Sequence, residues 1–195
     1  MNNYDVIAEF EKELSVFTGA PYVVMTDCCS HAIELCMIYE EVRYCEFPAY
    51  TYLSVPMTLL KLDIDFEYID NKDWLGEYSF EHTRIWDSAR LLCNNMYQKG
   101  QMQCLSFGHG KPLEIGRGGA ILLDDKIAYD SLIRMRFDGR DLSNDRWENQ
   151  KSYEIGYHYR PTPEEAIIGL EKLYTVSQTP KYYQYPDLRK ITINC

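Results

Sequence analysis

The sequence predicts an α/β protein with three layers, in which helices cover both faces of a mostly parallel central sheet. Segments with helical spacing of apolar residues alternate with short apolar runs through the first two thirds of the chain. Apolar residues make up 46% of the 195 residues and charged residues 26%, which is enough for one domain with a real core.

Each element follows from its periodicity and from its start and stop signals. The last helix has the clearest signal, because Thr162, Pro163 and Glu165 form a capping box with proline at the first helical position. Helices are predicted over 4–17, 30–39, 54–60, 125–137 and from Thr162 onward. Strands are predicted over 22–25, 42–47, 63–69, 84–87, 103–107 and 119–123.

Charge and composition exclude several function classes. The net charge of −10 argues against broad nucleic-acid binding, which relies on Lys and Arg to neutralise phosphates. No apolar run approaches the roughly 18 residues that a membrane span needs, and the N-terminus lacks a signal-peptide pattern, so we expect a cytoplasmic protein. The seven cysteines include no Cys-x-x-Cys pair, which favours reduced core thiols over a metal site.

Lys111 is the most informative candidate residue, because it stands in a glycine-rich run between two predicted strands. The run fails as a Walker A loop, since Pro112 follows the lysine and Leu105 replaces the first glycine. Asp27, Tyr50, Asp87 and Lys111 all follow predicted strands, and the carboxyl ends of strands in such sheets build ligand sites. The four residues are therefore expected to converge on one site.

A lysine in such a setting suits Schiff-base chemistry with pyridoxal phosphate (PLP), because partial burial favours the neutral, nucleophilic amine. PLP also requires an anion site for its phosphate, a carboxylate for its ring nitrogen and a flat side chain against its ring. The sequence offers Ser30 at a helix start, Asp87 at a strand end, and Tyr50 or Tyr52 after another strand.

Five ordered segments resemble motifs of the DegT/StrS-type sugar aminotransferase family, within the aspartate aminotransferase-like (fold-type I) PLP enzymes. The matches are collinear and cover most of residues 8–175. They read FEKELSVFTGAPYVVMTDCCSHAIEL, EFPAYTYLS, IWDSARLL, LSFGHGKPLEIGRGGAILLDD and EIGYHYRPTPEEAIIGLEKL.

The resemblance implies a role for each matched position. Lys111 would form the Schiff base and carry protons, and Asp87 would pair with the pyridinium nitrogen. Tyr52 would stack on the cofactor ring. Ser106 would bind the cofactor phosphate, with Ser30 and the backbone of Cys29 assisting. These positions are read from the family pattern alone.

Other matched positions depart from the family pattern. Arg90 replaces a glutamine that approaches the phenolic oxygen of the cofactor. His158, which replaces an asparagine, and Arg160 would reach the active site of a neighbouring subunit, because the family builds its sites across a homodimer. The phosphate cup reads Cys28-Cys29-Ser30, where glycine and threonine are usual.

The resemblance also implies a reduced version of the aspartate aminotransferase-like large domain. Residues 1–179 would form the PLP-binding domain and 180–195 a C-terminal tail. Between Asp70 and Ile85 the chain is short where the family has another strand and helix. The small C-terminal domain of the family is expected to be absent.

The resemblance implies an aminotransferase that moves nitrogen from a donor such as glutamate to a keto-sugar, expected to be nucleotide-linked. Arg117 or Arg160 is a hypothetical contact for the nucleotide phosphates. Three alternatives stay open. The chain could be a PLP enzyme of another type (decarboxylase, dehydratase or nucleobase-modifying), a non-catalytic binding protein that retains the fold, or a fragment that works only with another chain.

Overall fold

The computed structural model describes residues 5–142, 146–177, 179–180 and 182–193, and every predicted helix and strand is present within a few residues. No helix in these ranges is long and apolar enough to span a bilayer. The helices are α1 (Asp5–Thr18), α2 (Cys29–Tyr39), α3 (Ser54–Lys61), α4 (Lys126–Met135) and α5 (Pro163–Lys172). The strands are β1 (Tyr22–Thr26), β2 (Tyr44–Pro48), β3 (Asp65–Ile69), β4 (Tyr78–Ser79), β5 (Ile85–Asp87), β6 (Met102–Ser106) and β7 (Gly119–Leu123).

The central sheet is mixed, so the prediction of a mostly parallel sheet is wrong. Its strand order is β1-β7-β6-β5-β4, in which β5 and β6 pair in parallel while β1–β7, β6–β7 and β4–β5 are antiparallel. The reason lies in the connections. A parallel pair needs a long crossover, usually a helix, whereas β6 and β7 are joined by the glycine-rich loop 107–118, which contains no helix.

Helices cover both faces of this sheet, which confirms the three-layer α/β/α class. Side chains of β7 alternate between the layers: Ile121 and Leu123 join the core under α2 and α4, and Ala120 and Leu122 join the core under α1 and α5. Because β7 is apolar at all of these positions, both of its faces are buried.

Two further segments complete the fold around one end of the sheet. β2 and β3 form a separate parallel pair, which a bridge between Glu46 and Glu81 connects to the β4–β5 turn. The described part of the tail packs on its own chain: Leu188 N–H donates to Ala49 O at 2.9 Å, and Tyr185 is buried.

Candidate active site

One cavity of about 460 Å³ lies where the carboxyl ends of β5 and β6 meet the starts of α2 and α3. It is large enough for a small organic ligand. Seven of the nine site residues predicted from the sequence line it: Cys29, Ser30, Tyr52, Asp87, Arg90, Ser106 and Lys111.

Lys111 lies in the β6–β7 loop, whose own hydrogen bonds hold it in place. Lys111 N–H donates to Gly108 O at 3.3 Å, and the Glu114 carboxylate accepts from Gly110 N–H at 2.8 Å. Burial lowers the pKa of the Lys111 amine, and the negative charge of Asp87 opposes that shift only in part. A larger fraction of neutral amine is what a nucleophilic lysine requires.

Asp87 is a buried carboxylate at the end of β5. Tyr78 Oη donates to its Oδ2 at 2.9 Å, and Ala89 N–H donates to its Oδ1 at 2.9 Å. Burial raises the pKa of Asp87, although the charge of Lys111 and both hydrogen bonds act in the opposite direction. A cation placed against this carboxylate would offset part of the free-energy cost of burying its charge.

The start of α2 presents groups suited to binding an anion in the same cavity. Its N-cap residue, Cys28, makes no side-chain capping bond, so the N–H groups of the first turn are available to a ligand. The hydroxyls of Ser30 on α2 and Ser54 on α3 lie 2.6 Å apart, and Ser106 adds a third hydroxyl to the cavity wall.

Gly119 allows β7 to approach this helix start closely. A Cβ atom at position 119 would stand 2.5 Å from Cys29 N and 2.8 Å from Cys28 O, which is closer than any side chain tolerates. Burial raises the pKa of the Cys29 thiol well above its usual value, so this side chain stays neutral. A role for Cys29 in phosphate binding through its backbone N–H stays a prediction.

The cavity residues missed by the sequence interpretation include one hydroxyl and three aromatic side chains: Ser54, Trp74, Tyr183 and Tyr185. Trp74 comes from the short connection after β3, and its ring stacks on Tyr185 at a centroid distance of 5.7 Å. The only sequence signal for the tail residues was its high aromatic content, which did not indicate where it packs. Tyr52, by contrast, lines the cavity as predicted and is 61% exposed.

The remaining predicted residues lie outside the cavity. In the described part of the chain, His158 pairs with Asp138 at 3.1 Å, and the Arg160 guanidinium lies 4.5 Å from the Phe137 ring centre. Arg117 bonds to the Asp27 carboxylate at 2.6 Å. A role for His158 and Arg160 in a neighbouring subunit, and for Arg117 or Arg160 at nucleotide phosphates, stays a prediction.

Asp27, Cys28 and His31 form a polar cluster beside the anion site, with one potential metal-ligand atom from each within 4.8 Å of the others. Asp27 is already engaged, because its Oδ1 lies 2.6 Å from His31 Nδ1 and its Oδ2 accepts from Arg117. The positive charge of Arg117 opposes cation binding here. The expectation that the chain holds no metal stays a prediction.

His31 has a strongly raised pKa within this cluster. Burial by itself lowers the pKa, but hydrogen bonds to Asp27 and Cys28 outweigh it and raise the pKa of His31 to about 9. Burial raises the pKa of Asp27, yet the hydrogen bond and charge of His31, together with Arg117, leave it lowered. The ring of His31 also stacks on Tyr159 at a centroid distance of 3.6 Å.

We expect His31 to stabilise the fold in a pH-dependent way. Its contribution is full below the unfolded-state pKa of roughly 6.5 and is lost as the pH rises through about 9. His31→Gln should therefore cost on the order of 2 kcal/mol of unfolding free energy near neutral pH and little above pH ~10. Urea denaturation across this range measures it. His82→Gln, at an exposed histidine, is the control and should cost little unfolding free energy. A His31→Gln effect that does not change with pH would contradict the prediction.

Part of the chain also matches a known protein family. Residues 94–182, which include Lys111 and Ser106, match the model of the DegT/DnrJ/EryC1/StrS aminotransferase family. These matched residues, a little under half of the chain, are similar to part of a DegT/DnrJ/EryC1/StrS family domain. This confirms the resemblance seen in the sequence.

Three individual proteins show how far the similarity extends. GDP-perosamine synthase of Escherichia coli O157:H7 is 32% identical over 74 residues, which is 38% of this chain and 19% of that protein. The sugar aminotransferase CalS13 of Micromonospora echinospora has a TM-score of 0.72 at 16% identity, covering 87% of this chain and 60% of its own. NtdA of Bacillus subtilis, solved with bound PMP, has a TM-score of 0.70 at 20% identity. The match covers 86% of this chain and 47% of NtdA.

At these low identities the structural likeness shows the fold. The chain spans about three fifths of the length of CalS13 and a fifth of the length of the perosamine synthase. What these relatives act on is therefore a guide for a proposal about this chain.

Proposed function

We propose that this chain is the cofactor-binding unit of a PLP-dependent aminotransferase that moves an amino group from an amino-acid donor such as glutamate to a nucleotide-linked keto-sugar. The observation that carries the proposal is the meeting of Lys111 and Asp87 in one cavity with an open helix N-terminus. The family match supports amino transfer, and the names of the perosamine synthase and CalS13 support a sugar as acceptor.

The residues of the cavity fit PLP in number and in chemistry. The first turn of α2 and the hydroxyls of Ser30, Ser54 and Ser106 suit its phosphate group, which is a dianion. Gly119 allows the backbone of β7 to lie against the start of α2, since any Cβ there would overlap Cys29. Asp87 is the buried carboxylate that a protonated ring nitrogen requires.

Bound PLP supplies an electrophilic carbonyl and an electron-withdrawing ring. Lys111 would provide the amine that holds the cofactor, and its Nζ would accept and return the proton that leaves the donor carbon. Asp87 keeps the ring nitrogen protonated, because its buried carboxylate gains most from a cation. Tyr52 would cover one face of the ring. Arg90 stands as a second cation in the same cavity, and its charge acts on Lys111.

The proposed assembly is a homodimer in which His158 and Arg160 reach the partner's cavity. Both side chains lie away from the cavity of their own chain, and His158 is 74% exposed, which leaves it available to a partner. We also propose residues 1–179 as the cofactor-binding domain, with 180–195 as a tail that lines the cavity through Tyr183 and Tyr185.

A single-turnover assay tests the function. The purified chain is loaded with PLP, separated from free cofactor and mixed with glutamate, and the products are measured by mass spectrometry. We expect 2-oxoglutarate and pyridoxamine phosphate in amounts equal to the loaded cofactor. The proposal fails if neither exceeds the level formed by free PLP. Release of carbon dioxide instead would favour a decarboxylase.

Asp87→Asn should separate cofactor capture from catalysis. The amide can still accept from Ala89 N–H and can donate to Tyr78 Oη, so the fold should persist. Lys111 can still attach the cofactor, but the ring nitrogen loses its charge partner, and turnover should fall by about 10²-fold or more. Asp65→Asn, at an exposed carboxylate on β3, is the matched control. Equal turnover in the two variants would contradict the assignment of Asp87.

A further inference from the structure

Arg90 is a half-buried cation with an unusual set of partners. Its Nε donates to Tyr185 Oη at 3.2 Å, its Nη1 donates to Gly110 O at 2.8 Å, and the ring of Tyr183 lies 3.9 Å from its guanidinium carbon. Among the residues that the structure describes, no carboxylate lies within 4.0 Å of its nitrogens. The described acceptors use two of the five N–H groups of the guanidinium, which leaves the others for a ligand.

A second cavity, of about 350 Å³, adjoins the first beside Lys111. Both cavities share Arg90, Lys111 and Tyr183 as lining residues, so a ligand in the second cavity reaches the same lysine. We call it the side cavity. Its other lining residues come from the Lys111 loop and from the chain after α5: Gly110, Pro112, Glu114, Ser177, Thr179 and Tyr182.

The charge of the side cavity favours an anion. Arg90 and Lys111 are its cationic residues, and Glu114 is its acid. The Glu114 carboxylate is already engaged, since Oε1 lies 2.7 Å from His109 Nδ1 and Oε2 accepts from Gly110 N–H. Arg90 therefore lines the side cavity with no carboxylate partner among the described residues.

We infer that Arg90 binds the carboxylate of the amino donor in the side cavity. In an α-amino acid the amine and the carboxylate share one carbon atom, so the receptor for the carboxylate must lie next to the group that handles the amine. Arg90 meets this condition because it lines both cavities together with Lys111. A guanidinium also matches the geometry of a carboxylate with two parallel hydrogen bonds. This inference rests on the proposed function.

Tyr183 and Tyr185 of the tail make Arg90 a rigid receptor. The ring of Tyr183 covers one face of the guanidinium, and Tyr185 fixes Nε while its own ring stacks on Trp74. Because the guanidinium is held before the ligand arrives, less side-chain entropy is lost when the carboxylate binds. The tail thereby acts on donor affinity rather than on the chemistry at Lys111.

The test measures 2-oxoglutarate binding to the cofactor-free chain by calorimetry, with uridine diphosphate as a second probe. Arg90→Gln should weaken 2-oxoglutarate binding by about 10- to 100-fold and leave uridine diphosphate unchanged. Arg90→Lys keeps the positive charge but loses the paired N–H groups of the guanidinium. Its affinity for 2-oxoglutarate should lie between those of Arg90→Gln and the unaltered chain. Arg43→Gln, at an exposed arginine outside both cavities, should change neither affinity.

Two outcomes would overturn the inference. One is a 2-oxoglutarate affinity that Arg90→Gln changes no more than Arg43→Gln does. The other is a loss confined to uridine diphosphate, which would assign Arg90 to the acceptor's phosphates. Since the probe binds without PLP, the result is independent of the proposed function. If the chain fails to take up PLP while Arg90 still governs 2-oxoglutarate binding, the proposed function is wrong, and Arg90 remains a carboxylate receptor but not one for an amino donor.

Discussion

Lys111→Ala should abolish covalent capture of PLP. The purified wild-type chain mixed with PLP should show a visible absorbance band, and borohydride reduction should fix the cofactor to the peptide that contains Lys111. The variant should show neither, because the described cavity offers no other lysine to the cofactor. Transamination should fall by about 10²- to 10⁴-fold or more, since both the attaching amine and the proton carrier are lost.

Lys99→Ala is the matched control for this experiment, because Lys99 is an exposed lysine outside the cavity. It should keep the absorbance band, the labelled peptide and the activity. A labelled peptide from another region of the wild-type chain would refute the assignment of Lys111. Equal labelling of Lys111→Ala and wild type would refute it as well.

The placement of Lys111 and Asp87 could be predicted because local patterns determine it. An apolar strand followed by a polar residue places that residue at a sheet edge, and strands that run the same way share an edge. Asp87 ends β5 and Lys111 follows β6, which is the parallel pair of the sheet, and both line the cavity as predicted. Asp27 and Tyr50, which also follow strands and were expected at the same site, are not among the residues that line it.

Trp74, Tyr183 and Tyr185 could not be predicted because their positions depend on long-range packing. Trp74 donates from its Nε1 to Tyr50 O at 2.8 Å, and its ring stacks on Tyr185, more than a hundred positions away in the sequence. Neither segment has a periodic pattern that indicates what it packs against. Strand direction was missed for a related reason: apolar periodicity identifies β7 but does not fix the direction of its neighbours.

A buried ion pair that supports β1 provides the largest expected effect on stability. β1 lies at the edge of the sheet, where the outward backbone groups of Met25 have no neighbouring strand. Glu11 of α1 accepts from Met25 N–H at 2.7 Å, and Arg136, after α4, donates to Met25 O at 2.5 Å. Arg136 also bonds to Glu11, and both side chains are at least 90% buried. The pair therefore takes the place of a neighbouring strand.

Arg136→Met should lower the free energy of unfolding by about 3–5 kcal/mol, because it leaves the Glu11 carboxylate buried without a countercharge and Met25 O without a donor. Arg134→Met, within α4 itself, breaks an exposed ion pair with Glu154 and should cost about 0–1 kcal/mol. Chemical denaturation of both variants measures the difference. Equal losses would show that the buried pair does not support the edge of β1.

Arg136→Met should also affect the active site, because β1 leads directly into the start of α2. The residue after Met25 is Thr26, whose Oγ1 donates to Cys28 O at 2.9 Å beside the proposed phosphate site. Arg136 O also accepts from Tyr159 N–H at 3.0 Å, and Tyr159 stacks on His31. We therefore expect Arg136→Met to weaken PLP binding even where the chain remains folded, whereas Arg134→Met should not. A PLP titration at low denaturant separates the two effects, and unchanged affinity in Arg136→Met would limit the ion pair to a role in stability.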